Sequence, residues 1–140
     1  MSDDGAGDRE QIVLLVDDRP ASAAALEMVV EAMRLVTVRS VSNGAAAWRF
    51  LEGGDGNRVC AVITDLDMPL INGMELIRRI RSSNAHARMP VIVISATTEI
   101  TAPERALKAG ADAFFPKPWS PGHVCATLEQ LLYERKAKRQ

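Results

Sequence analysis

The feature that most limits how this 140-residue chain can fold is an alternation of short, nearly unbroken apolar runs with segments of helical patterning. The runs are IVLLV at 12–16, CAVIT at 60–64, VIVIS at 91–95 and AFF at 113–115, with a β-branched but half-polar run, VTVRSV, at 36–41. A strand with one wet face alternates apolar and polar residues. A run that is apolar at nearly every position is buried on both faces, as in a parallel sheet covered by helices on each side. The segments between the runs predict helices over 20–33, 44–52, 73–82, 103–108 and 121–136. Pro20, Pro103 and Pro121 fall where a first helical turn tolerates proline, and Gly53, Gly54 and Gly110 fall where helices end. Strict succession of five strands and five helices predicts an α/β, doubly wound parallel sheet.

With 47% hydrophobic residues, a chain of this length buries one core and is too short for two ordinary domains. Residues 1–10 read as a disordered acidic tail, 11–135 as the domain and 136–140 as a basic C-terminal tail. The formal net charge of −1 gives no nucleic-acid footprint and no attraction to anionic membrane. Cys60 and Cys125 read as buried free thiols of a reducing compartment, and with no apolar h-region or spanning run a cytoplasmic location is expected. His86 and His123 are expected to be ordinary surface histidines, and Trp48 to pack a helix.

In a doubly wound sheet, ligands gather beyond the carboxyl ends of the strands. The first strand is followed by Asp17 and Asp18, the third by Asp65, the fourth by Ser95, and Lys117 lies just past the fifth. Each has an ordinary reading alone: Asp18 as a cap for the helix at Pro20, Asp65 as the start of an Asx-turn, Ser95 as a loop cap, Lys117 as a solvated charge. Together on one edge they mean something else. Three carboxylates within about 4–6 Å repel by roughly 4 kcal/mol per pair at an effective dielectric near 20. A divalent cation removes that cost, and an all-oxygen donor set without His or Cys favours Mg²⁺ completed by phosphate oxygens. An aspartate oxygen attacking phosphorus needs the phosphoryl charge offset by metal, ammonium and hydrogen-bond donors; Asp65, Lys117 and Ser95 suit those parts.

These residues resemble the receiver domains of bacterial two-component response regulators. The resemblance spans roughly residues 11–135 and rests on VDD at 16–18, TDLDMPLINGMEL at 64–76, VIVISA at 91–96 and KAGADAFFPKPW at 108–119. It implies a flavodoxin-like sheet of order 2-1-3-4-5 and a phosphoacceptor regulator that catalyses only its own phosphorylation and dephosphorylation. Asp65 is then the phosphorylated residue, with Mg²⁺ held by Asp18, Asp65 and the Asp67 backbone carbonyl, and by Asp17 through water. Ser95 and Phe114 become the switch pair, Lys117 pairs with the phosphoryl group, and the Lys117–Pro118 peptide is cis. Asp67 and Thr97 lie near the path of the hydrolytic water. The implied partners are a sensor histidine kinase or histidine phosphotransfer protein and a downstream protein reading the face of helix 4, strand 5 and helix 5, with homodimerisation left open.

A single-domain regulator is the expected form, and a receiver excised from a hybrid kinase or larger regulator is the alternative. DLD at 65–67 also suits a haloacid-dehalogenase-like phosphatase, but in that family the pair stands near the chain start and the remaining acids near the end. A receiver-fold module that has lost phosphorylation ranks low, because every acceptor-site residue is present.

Overall fold

The computed structural model describes residues 11–34 and 36–138, and side chains as far as Arg135. The stretch read as an acidic tail at 1–10, and residues 139–140 of the basic one, lie outside the described residues. The elements, in chain order, are β1 (Ile12–Val16), α1 (Pro20–Glu31), β2 (Thr37–Val41), α2 (Gly44–Glu52), a 3₁₀ turn (Gly56–Arg58), β3 (Val59–Thr64), α3 (Gly73–Ser82), β4 (Val91–Ser95), α4 (Ala102–Ala109), β5 (Ala113–Pro116) and α5 (Pro121–Lys138). All pairings are parallel and the sheet order is β2-β1-β3-β4-β5, as expected.

Every residue of β1, β3 and β4 is buried, which is why their sequences show no polar alternation. Alternate residues feed two cores. Leu14, Val62 and Val93 pack with Leu51 of α2, Leu76, Ile77 and Ile80 of α3, and Ala106 of α4. Leu15, Ile63 and Ile94 pack on the other face with Leu26 and Val30 of α1 and Val124 and Leu128 of α5. Trp48 packs against the first core, as expected of a helix residue.

Three local readings change. Helix α1 stops at Glu31 rather than near Met33, because Met33 and Arg34 donate to Val30 and Glu31 in a tightened turn and Arg34 takes a left-handed φ of 62°. His86 is buried, not on the surface, and its Nε2 meets the Leu51 carbonyl at 3.0 Å. Cys125 is only half-buried, with its Sγ 3.8 Å from the Val29 carbonyl.

Arg81, at the end of α3, ties three segments together. Its Nε donates to the Gly110 carbonyl at 2.9 Å, its Nη1 to the Ala87 and Met89 carbonyls, and its Nη2 reaches Asp112 at 3.2 Å. Asp112 also accepts from the Val91 N–H at 2.8 Å. Gly110 has a φ of 123°, and a Cβ there would press into the Arg81 side chain, so the position requires glycine twice over.

Cys60 lies inside β3, and burial pushes its thiol up to about 11, partly offset by the charge of Arg135. The neutral thiol is the buried form, so its contribution to stability is complete below the unfolded-state value of roughly 8.5 and is lost as pH rises through the folded value. In native protein at pH 8, iodoacetamide should therefore alkylate Cys60 at least about tenfold more slowly than in urea. Equal rates by mass spectrometry would contradict this burial.

Candidate functional site

Strands β1 and β3 are neighbours, and the connections leaving them run to opposite faces of the sheet, so their carboxyl ends open a crevice. Asp17 and Asp18 follow β1 there, and Asp65 follows β3. Asp17 and Asp65 are each 6% exposed while Asp18 is open to solvent, and one oxygen from each of the three carboxylates lies within 4.8 Å of the others. Lys117, just beyond β5, reaches across to place Nζ 3.4 Å from Asp17 Oδ2 and 3.5 Å from Asp65 Oδ2. Its backbone N–H donates to the Ser95 carbonyl at 2.9 Å, which joins the ends of β4 and β5, and the following peptide bond to Pro118 is cis. Asp17, Asp18, Asp65 and Lys117 are thus one cluster, assembled from three strand ends.

Backbone groups fix how these side chains point. Asp17 Oδ1 accepts from the Arg19 N–H at 2.9 Å. Asp65 Oδ1 accepts from the Leu66 N–H at 2.7 Å and, more weakly, from the Asp67 N–H at 3.4 Å. The Asx-turn considered for Asp65 is therefore present, and it coexists with the cluster because it uses only one carboxylate oxygen. Oδ2 is left facing the ammonium. Asp18, in contrast, caps nothing: α1 begins after Arg19 with no side-chain cap bond.

Ser95 is fully buried, and its hydroxyl oxygen accepts from the Thr97 N–H at 3.2 Å. Asp67 is exposed, and Thr97 is half-buried with its own hydroxyl accepting from the Glu99 N–H. Phe114 is half-buried and packs into the core on the α2, α3 and α4 face, while its neighbour Phe115 packs into the opposite one. Sequence reasoning missed Thr64. Its hydroxyl, 1% exposed, donates to the Asp65 carbonyl at 2.8 Å. The only sign was a hydroxyl residue ending an otherwise apolar strand directly before the acidic residue.

Three carboxylates against one ammonium leave two negative charges uncompensated in a largely buried crevice. That donor set is all oxygen, and its charge deficit matches a divalent cation. The residues present therefore fit Mg²⁺.

Comparison with known proteins agrees with this layout. The sequence profile of the family described as the response regulator receiver domain matches residues 13–129. The chain is 31% identical over 122 residues to chemotaxis protein CheY1 of Helicobacter pylori, covering 86% of this chain and 95% of that one. It is 36% identical over 105 residues to a gliding motility regulatory protein of Myxococcus xanthus, covering 75% of this chain but 13% of that larger protein. Among solved structures, the receiver domain of a signal transduction histidine kinase from Syntrophus aciditrophicus superposes with a TM-score of 0.79 at 28% identity, covering 89% and 91% of the two chains.

Proposed function

Because the chain belongs to the response regulator receiver family, whose members are signalling regulators rather than classical enzymes, we propose that Asp65 accepts a phosphoryl group from a histidine kinase or phosphotransfer protein and that the modified protein signals through a changed surface. The observation that carries the reading is the orientation of Asp65: Oδ1 is engaged by backbone N–H groups and Oδ2 faces Lys117. In the transfer, Oδ2 forms a bond to phosphorus as the bond from phosphorus to the donor imidazole nitrogen breaks. The nitrogen keeps the electron pair, and a ring protonated at its other nitrogen departs neutral. Lys117 offsets charge on the incoming group and Ser95 supplies a hydroxyl to one of its oxygens.

Asp18, Asp65 and the Asp67 carbonyl would hold Mg²⁺, with Asp17 acting through water. Bound there, the ion supplies charge neutralisation for a dianionic group meeting carboxylates. Phe114 and Ser95 form the switch pair, coupling the site to the face of α4, β5 and α5. Incubation with acetyl phosphate and Mg²⁺ tests the reading: intact mass should rise by one phosphoryl group, and chelation by EDTA should abolish the gain. Many phosphates released per chain from a small substrate would instead favour a phosphatase.

The crevice is bordered on one side by α1, which starts beside Asp18, and we place the donor protein over this helix. The outward face of that helix is unusually apolar, with Ala21, Ala24, Ala25 and Met28 exposed. Charged residues are the norm on a solvent face, so this one suits packing against a helix of the donor. Ala24→Arg should cut phosphotransfer from any kinase that labels the wild type at least about tenfold, through loss of a packed contact. Labelling by acetyl phosphate should stay within about twofold of wild type; equal losses with both donors would show damage to the site itself.

A further inference from the structure

We propose that Thr64 is a positioning residue for the phosphoacceptor, acting through the peptide that joins Asp65 to Leu66. This rests on the assignment of Asp65 as acceptor. The β3–β4 ladder ends with Thr64 opposite Val93, so the Asp65 carbonyl lies one residue past it. A carbonyl in a residue as buried as Asp65 needs a donor, and the Thr64 hydroxyl supplies one at 2.8 Å. The other side of this carbonyl is closed by the start of α3: a Cβ on Gly73 would overlap the Asp65 carbonyl oxygen and the Leu66 Cα. The Gly73 N–H donates to the Leu66 carbonyl at 2.9 Å. The peptide plane is thus tethered on one side and walled on the other.

That plane also carries the Leu66 N–H, which donates to Asp65 Oδ1 at 2.7 Å. Fixing the carbonyl therefore fixes the N–H, the N–H selects which carboxylate oxygen is engaged, and Oδ2 is left as the nucleophile toward Lys117. Without the hydroxyl the plane can tilt, the Leu66 N–H drifts off Oδ1, and the carboxylate samples rotations that do not lead to attack. Misorientation of this kind lowers the rate of the chemical step more than it lowers binding. Arg81 and Arg135 are also multiply bonded, but they hold backbone away from this crevice.

Thr64→Val is nearly isosteric and keeps the strand, while Thr64→Ser keeps only the hydroxyl. With acetyl phosphate and Mg²⁺, Thr64→Val should label about 3–10-fold more slowly at saturation, with the Mg²⁺ dependence unchanged within about twofold. Thr64→Ser should return the rate to within about twofold of wild type. A valine variant that labels at the wild-type rate, or a serine variant as slow as the valine one, would overturn the proposal. A second arm needs no phosphorylation: the Leu66 amide should lose exchange protection about tenfold in Thr64→Val and keep it in Thr64→Ser. An unaltered Leu66 amide in the valine variant would also overturn it. If the wild type itself took no phosphoryl group while the Leu66 amide responded as stated, the acceptor assignment would fall and the tether would stand.

Discussion

Asp65→Asn should fold, keep its crevice and take up no measurable phosphoryl group from acetyl phosphate, a fall of at least about a thousand-fold in labelling rate. The amide keeps the shape of the carboxylate, and its oxygen can still accept from the Leu66 N–H that Oδ1 now engages. What changes is the atom facing Lys117. An amide nitrogen has no lone pair free to attack phosphorus, and the neutral group removes one of the three charges that fit a divalent cation. Stability should change far less, because Asp65 is repelled by Asp17 and Asp18 but attracted by Lys117 at 3.5 Å, and the two effects oppose each other. Intact-mass spectrometry across a time course with the wild type in parallel reads the result. Phosphorylation of the variant at the wild-type rate would remove Asp65 from the mechanism.

The largest stability loss is expected at a residue remote from the chemistry. Arg81→Met retains most of the aliphatic stem but leaves the Gly110, Ala87 and Met89 carbonyls without their guanidinium donor and Asp112 without its cation. Hydrogen bonds from a charged donor contribute about 1.5–3 kcal/mol each, and bonds sharing one side chain are not additive. A total loss of roughly 2–4 kcal/mol follows, on the order of 10 °C in melting temperature for a domain of this size. Urea unfolding of Arg81→Met, Asp112→Asn and the double variant separates the shared part. A loss under about 0.5 kcal/mol in the single Arg81 variant would mean that these bonds are exchanged for water at little cost.

Much of this architecture was legible before any coordinates, because its causes are local in sequence. Burial on both faces leaves IVLLV wholly apolar, and CAVIT and VIVIS apolar but for a hydroxyl residue at the end, and parallel pairing between helices is what remains for such strands. Pro20 and Pro121 mark helix starts because a first-turn residue needs no N–H. The carboxylates were legible for a related reason: acids at the ends of buried strands have nowhere to go but the sheet edge. Less legible were features set by partners distant in sequence. His86 looked like a loop residue, and only the fold brings the Leu51 carbonyl, 35 positions earlier, to its ring. Nothing in the sequence sets Arg81 apart from Arg78 and Arg79 on α3, and its partners at Gly110 and Asp112 arrive from the α4–β5 turn. The end of α1 carried no glycine signal, since Arg34 takes the left-handed conformation that glycine usually fills. The orientation of Asp65 was invisible for a different reason: backbone N–H groups set it, and sequence patterns do not display backbone.

One feature at the opposite edge of the sheet bears on how a signal can leave the site. Arg135 of α5 donates to the carbonyls of Val59 and Cys60, the first two residues of the strand whose last residue precedes Asp65. Six residues of strand measure about 20 Å. The final described turns of α5 are therefore moored to the β-strand that leads to Asp65 but at its far end, roughly two Debye lengths away at physiological salt. A protein gripping that end of the helix from solvent would feel little of any charge placed at Asp65 and would respond chiefly to rearrangement carried through the packed interior.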